Sequence, residues 1–167
     1  MTSLTTRQRK DLMTELGGLR RFCLSLTGAV ADADDLLQAT VERLLEKGMP
    51  EDAHTGKWVY RVCKNIWIDE MRAREVRQRH AGTLQTVEED SAPSAERQAG
   101  AERRLRAINA ALARLPDDQR LALVLVTIDG KSYAEAADIL QVPLGTLMSR
   151  IARARKHLME DAALAEH

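Results

Sequence analysis

Aromatic residues are scarce in this chain. Two Trp, two Tyr and one Phe make up 3% of its 167 residues, and Ala, Leu and Arg dominate instead. Such residues lose little rotamer freedom in a helix, so the composition favours helices over strands. There are only two cysteines, Cys23 and Cys63, so a disulfide framework would rest on one bond, unusual at this length. Both fall on apolar positions of expected helices, where thiols are buried and inert. Neither stands at zinc-site spacing from His54, His80 or His157. No apolar run approaches the ~20 residues of a membrane span, and the N-terminus, MTSLTTRQRKDLM, has basic residues with no apolar stretch after them, unlike a signal peptide. No Gly-rich phosphate loop, Ser/His/Asp constellation or cluster of metal ligands appears. The expectation is a cytoplasmic, reducing-compartment protein that is not an enzyme, with no cofactor, no metal and no membrane insertion. Net charge is also missing, since 25 basic residues meet 25 acidic ones. Neutrality excludes little when charge is segregated along the chain.

What is present is helical punctuation. Leu12, Leu16, Leu19, Cys23 and Leu26 recur at steps of three and four, and Gly28 stands where that helix should stop. Gly17 and Gly18 weaken it locally. Asp32 offers an N-cap for a second helix with Leu37, Val41 and Leu44 inward and Gly48 as its stop. GMPEDAHTG, residues 48–56, reads as a loop. A third helix is expected from Lys57 to Gln78, with Val59, Val62, Cys63 and Ile66 inward. Residues 81–100 lose all apolar period, are rich in small and acidic residues, and read as a flexible linker. A helical face resumes with Leu105, Ile108, Leu112 and Leu115. Pro116, Asp117 and Asp118 suit the start of the next helix, which carries Leu121, Val124, Leu125 and Ile128 and ends at Gly130.

Ser132 and Glu135 form an S-x-x-E capping box before a short helix with Tyr133, Ala136, Ala137 and Leu140 on one face. Gln141, Val142 and Pro143 make a turn. The following helix divides cleanly, with Leu144, Leu147, Ile151, Ala154 and Leu158 inward and Thr146, Ser149, Arg150 and Arg153 outward. Between Leu144 and Leu158 stand Arg150, Arg153, Arg155 and Lys156 and no acid. A capped short helix, a brief turn and a basic second helix make a helix-turn-helix, whose second helix offers donors to phosphates and base edges.

The stretch LPDDQRLALVLVTIDGKSYAEAADILQVPLGTLMSRIARARKHL resembles region 4 of the sigma-70 family, most of all the extracytoplasmic-function (ECF) sigma factors. The resemblance is carried by Leu115–Pro116, Ser132–Tyr133, Val142–Pro143, Gly145–Thr146, Ser149–Arg150 and Arg153–Ala154–Arg155. It implies reading of a −35 promoter element in the major groove by Thr146, Ser149, Arg150 and Arg153. Gln141 departs from the glycine common in the turn, and Met148 from a common basic residue.

DADDLLQATVERLLEK is similar to region 2 of that family, which implies that Asp34, Asp35, Leu36 and Gln38 bind the clamp helices of the polymerase largest subunit. The residues supply a reason of their own. From Ala31 to Asp52, seven acids face only Arg43 and Lys47. An acidic helix with an exposed Leu36 suits a basic protein partner, although acids in a first turn also serve the helix dipole. In the third helix Lys57, Arg61, Lys64, Arg72, Arg74, Arg77 and Arg79 outnumber Asp69, Glu70 and Glu75. Tyr60, Lys64 and Trp67 recur at helical spacing, a pattern suited to unpaired DNA, whose bases stack on rings while cations track phosphates. The resemblance implies that Tyr60, Arg61, Lys64, Asn65, Trp67 and Arg72 engage a −10 element. The loop before this helix departs from the family's Phe-Arg-Gly type.

The expected architecture is all-α, with two small helical domains and a linker. Residues 10–80 form a region 2-like domain, 81–101 the linker and 102–160 a region 4-like helix-turn-helix domain. The resemblance implies core RNA polymerase (largest-subunit clamp helices and flap region), promoter DNA and an anti-sigma factor as partners. The alternative is a sigma-like protein that sequesters an anti-sigma factor without reading promoters. Neutrality, Gln141 and Met148 favour it; Arg150, Arg153 and the basic third helix count against it.

Overall fold

The computed structural model describes residues 3–81 and 96–165, and among these every regular element is helical. In chain order these are α1 (Thr6–Thr27), α2 (Val30–Lys47), α3 (Thr55–Ala81), α4 (Glu96–Arg114), α5 (Asp117–Leu123), α6 (Tyr133–Leu140) and α7 (Leu144–Ala165). A π-helical turn, Val124–Ile128, continues α5 without a break.

The first three helices pack as a bundle. Thr5 and Gln8 close a reciprocal capping box at the start of α1, and Gln8 Nε2 also donates to the Pro50 carbonyl at 2.9 Å. Gly28, at φ 75°, ends α1 in the left-handed conformation that favours glycine. The start of α2 differs from expectation. Ala29 is the N-cap, and Asp32 sits inside the first turn, where it complements the dipole. Gly48 ends α2 as expected. Helix α3 begins two residues earlier than the pattern indicated, at Thr55, and runs to Ala81.

The expected Leu12, Leu19, Cys23 and Leu26 stripe is buried, and Phe22 joins it fully buried, its ring centroid 5.1 Å from that of Tyr60. Cys23 and Cys63 are both buried free thiols whose Sγ atoms lie 3.6 Å apart. The hydrogen bond to Cys63, followed by burial, pushes the Cys23 thiol far up. Gly18 has a packing reason that its low helix propensity hid. The Tyr60 hydroxyl lies 2.7 Å from where a Cβ at that position would stand.

In the C-terminal half, Ser132 caps α6 by accepting from the Glu135 N–H, and its hydroxyl donates to the Glu135 carboxylate at 3.0 Å. Gln141 occupies the turn at φ 56°, the one non-glycine residue with positive φ among those described. Leu147, Ile151 and Ala154 of α7 are buried as expected, whereas Leu144 is half exposed. Leu105 and Ile108 also differ from expectation. They stand on the open side of α4, and only Leu112 and Leu115 of that stripe go inward. The expected linker is shorter than the sequence indicated, because its last residues already belong to α4. Residues 82–95 of it lie outside the described residues.

The two halves meet along a seam. Helix α6 packs on α3, and the π turn packs on α1. Arg120 reaches across to the end of α1, donating from Nε and Nη2 to the Ser25 carbonyl at 3.1 and 2.8 Å. Asn109 Nδ2 donates to the Gly28 carbonyl at 3.5 Å.

Candidate nucleic-acid and polymerase interfaces

Helix α2 has one face on the bundle and one in solvent. Ala33, Leu36, Thr40 and Leu44 form the inward row. Leu36 is therefore core, 1% exposed, and not the exposed apolar neighbour that the sequence pattern indicated. Two consecutive leucines leave the helical phase open, and the small residues Ala33 and Thr40 settle it in favour of Leu36. Asp34, Asp35 and Gln38 are exposed. Asp34 lies 3.4 Å from Arg20 Nε, and Gln38 Nε2 donates to Glu42 at 3.2 Å. Half-buried Val41 and exposed Leu45 extend the row begun by Asp34 and Gln38, so this face has an apolar end that the sequence reading placed elsewhere.

Helix α3 presents the opposite case. Of the residues expected to meet unpaired DNA, Asn65 and Arg72 are exposed and Arg61 is half-buried. Tyr60, Lys64 and Trp67 are buried, at 1%, 8% and 0% exposure. Tyr60 packs on Phe22 of α1, and residues of the C-terminal half approach the rings of Tyr60 and Trp67. The Lys131 ammonium lies 4.5 Å from the centroid of the Tyr60 ring, and the Arg120 guanidinium 5.9 Å from that of Trp67. Burial holds the Lys64 ammonium below its ordinary range, with Arg61 and Arg150 adding repulsion. Trp67 Nε1 and Arg61 Nε are buried with no hydrogen-bond partner among the described residues.

Asp129, at the end of the π turn, lies in the same seam. Both its carboxylate oxygens are buried without a hydrogen-bond partner among the described residues. Burial raises its carboxyl to about 7, against the opposing pull of Lys131 and of Arg21 on α1. Burial and then the Asp129 charge push the Tyr60 phenol up.

A cleft of about 230 Å³ opens beside the loop before α3. Pro50, Asp52, Ala53 and His54 of the loop and Lys57, Trp58 and Arg61 of α3 line it, with Asp138 of α6 at its mouth. The Arg61 guanidinium sits 5.7 Å from the Trp58 ring centroid. An aromatic plane and two cations stand in this cleft against two carboxylates, Asp52 and Asp138, the latter paired with both cations. Sequence reasoning did not find Asp138, Arg120 or Lys131. Their roles depend on how the halves meet, which no local pattern encodes.

On α7, Ser149 and Arg153 point to solvent and Thr146 is half-buried. Arg150 lies on the same outer side but its Nε is 3.5 Å from Asp118 Oδ2. Met148 is half exposed among them. Among the described residues no helix is long and apolar enough to cross a membrane.

Residues 12–77 match the family described as Sigma-70 region 2, and residues 105–158 the family described as Sigma-70, region 4. The chain is 33% identical over 159 residues to the ECF RNA polymerase sigma factor EcfG of Rhodopseudomonas palustris, covering 93% of this chain and 84% of that protein. It is 38% identical over 143 residues to SigM of Mycobacterium tuberculosis, covering 84% and 69%. Among solved structures it is similar to the sigma factor RpoE of Bartonella quintana, solved in complex with the anti-sigma factor NepR. That match has a TM-score of 0.71 at 29% identity and covers 93% of this chain and 96% of that one.

Proposed function

Since the chain belongs to the extracytoplasmic-function sigma factors of the sigma-70 family, we propose a division of labour among its helices in promoter-directed transcription. The protein is an initiation factor that binds core RNA polymerase and directs it to promoters through −35 and −10 elements. Its relatives at 33% and 38% identity are named as sigma factors, which favours this reading over the sequestering mimic. An anti-sigma factor is its regulator, and its place of work is the cytoplasm, where core polymerase is found. Its task is recognition and strand opening, with no catalytic step of its own.

Residues 10–80 form the unit that docks on the polymerase clamp helices and holds the −10 strand, and residues 102–160 the unit that reads the −35 element. The helical start at Glu96 extends the second unit's first helix backwards. Asp34, Asp35 and Gln38 supply the outward polar contacts to the clamp, and Leu36 supports that helix from inside. Tyr60, Arg61, Lys64, Asn65, Trp67 and Arg72 serve the −10 strand. Thr146, Ser149, Arg150 and Arg153 serve the −35 groove. The observation that carries the DNA-reading assignment is the divided α7, with Leu147, Ile151 and Ala154 buried while Ser149 and Arg153 stay open on a helix free of acids from Leu144 to Leu158. Each unit alone binds DNA weakly, and polymerase makes their attachment effectively intramolecular by holding both at promoter spacing.

The test is transcription of fragmented host genomic DNA by core polymerase with and without this protein, with mapping of RNA start sites. New starts that share two spaced upstream motifs are expected. Binding to core polymerase without any new start would return the sequestering mimic to the front.

A further inference from the structure

We propose that Cys23 and Cys63 are an oxidative modification site, at which a peroxide joins the two thiols in a disulfide that ties α1 to α3. The inference does not rest on the sigma assignment. It gives the pair a chemistry that promoter reading leaves unused.

The two sulfurs already face each other. Their Sγ atoms lie 3.6 Å apart in a hydrogen bond, and both side chains are fully buried where α1 packs on α3. A disulfide holds its sulfurs about 2.05 Å apart, so the approach left to make is about 1.5 Å. The surrounding contacts keep the pair in register. Phe22, next to Cys23, rests its ring against that of Tyr60, which stands one turn before Cys63. At Gly18 the helices come so close that the Tyr60 hydroxyl takes the place of a Cβ. Among the described residues no third His, Cys, Asp or Glu joins the pair in a metal-binding group. What remains is the chemistry of two opposed thiols.

With hydrogen peroxide the reaction takes two steps. One sulfur attacks a peroxide oxygen, the O–O bond breaks, and the thiol becomes a sulfenic acid while its proton leaves with the departing hydroxyl as water. The other sulfur then attacks the sulfenic sulfur, the S–O bond breaks, and a second water leaves. The sulfurs give up two electrons in all, and the peroxide gains them. The first step is slow, because the hydrogen bond and burial keep Cys23 protonated and the core admits a small oxidant only during local opening. The second is fast, since the partner sulfur is held at contact distance and needs no encounter. The sulfenic acid is thus captured before further peroxide carries it to sulfinic acid. A reducing compartment leaves both thiols free, and a rise in peroxide closes the bond. Residues 24–62, with all of α2 and its outward Asp34, Asp35 and Gln38, then lie inside a closed loop. A cross-link restricts the unfolded chain, so the oxidised form keeps α2 folded under conditions that melt the reduced one.

The test treats the full folded chain with hydrogen peroxide, then unfolds it, alkylates the remaining thiols and maps the cysteine peptides by mass. Mapping is needed because exposed Met13 and Met159 also take up oxygen. The expected product is a monomer whose Cys23 and Cys63 peptides are joined with loss of two hydrogens. Its melting temperature, read without reductant, should stand roughly 5–15 °C above that of the reduced chain and return to it with dithiothreitol. Cys63→Ala should show no such gain on peroxide treatment. If that variant fails to fold, the parent with and without dithiothreitol still decides the matter. Two thiols that remain free for alkylation after the exposed methionines are oxidised would overturn the site. Oxygen left on either cysteine of the parent, or a bond between two chains, would overturn it as well. A joined pair that melts no higher than the reduced chain would overturn the locking. Neither readout involves polymerase or promoter DNA, so failure here and failure of the sigma assignment are distinguishable.

Discussion

Helices α2 and α3 lie side by side in one bundle and present the faces proposed for polymerase and for DNA in opposite states. The outward face of α2 is acidic, polar and open. The basic and aromatic face of α3 is met by Arg120 of α5, by Lys131 and by Asp138 of α6. Sequence composition alone makes both helices equally available. The difference teaches that a neutral chain carrying acidic and basic faces has itself as the nearest partner. Which face stays free is decided by where the second half packs. A face meant for a protein partner can stay open, whereas a face meant for unpaired bases exposes rings and cations that bind indiscriminately.

The sharpest way to break this contrast is at two adjacent residues of α2. Leu36→Ala should destabilise the fold by about 2–5 kcal/mol in a thermal or urea melt, because it empties a fully packed site. Asp35→Ala should leave the melt unchanged while weakening core-polymerase binding by about 1–2 kcal/mol at low salt, a loss that shrinks as salt rises. Equal melts for both variants would mean that Leu36 is not core.

Next in size is Arg150→Ala on α7. If the guanidinium leaves Asp118 for a base edge, promoter-specific initiation should weaken by about 1–3 kcal/mol with core-polymerase binding intact. A smaller effect follows from Asp129. Its carboxyl titrates near 7 in the folded chain and near its ordinary value of 3.8 once unfolded, so the folded form binds the proton more tightly. The stability this provides is complete below pH 3.8 and is lost as pH rises through about 7. Asp129→Asn removes that loss, and its melting temperature should fall less than the parent's between pH 5 and pH 8. After discounting for a partly wet site, the advantage at the upper end is about 1–2 kcal/mol. Identical pH profiles would remove Asp129 from the seam. The smallest effect is expected at the turn that aims α7. Gln141→Gly relieves a left-handed backbone at some cost in chain entropy, for a net gain below about 1 kcal/mol in a denaturant melt.

Most helices were legible because their signals are local. Gly28 and Gly48 stop helices where expected, and buried Leu147 and Ile151 follow from a three-and-four spacing. The open residues Asp35, Ser149 and Arg153 were legible for the same reason. Leu36 was misplaced because two adjacent leucines fit a helix in either phase. Leu105 and Ile108 satisfy the helical period yet face outward, since the period shows that a stripe exists but not that anything packs on it. The burial of Tyr60, Lys64 and Trp67 was illegible for a different reason. The groups that stand over Tyr60 and Trp67, Lys131 and Arg120, are 50 or more residues distant in the chain.

The π turn at Val124–Ile128 has a consequence for the seam as a matter of register. A π turn holds about one residue more than an α turn, so it advances all that follows by roughly 100° around the axis. Here the residues it redirects include Asp129 and Lys131, the two that approach α1 and the Tyr60 ring. Loss of a single residue from VLVTI would restore α-helical winding and turn those groups away from the first half. The contact between the halves therefore depends on a one-residue count as well as on the chemistry of its side chains.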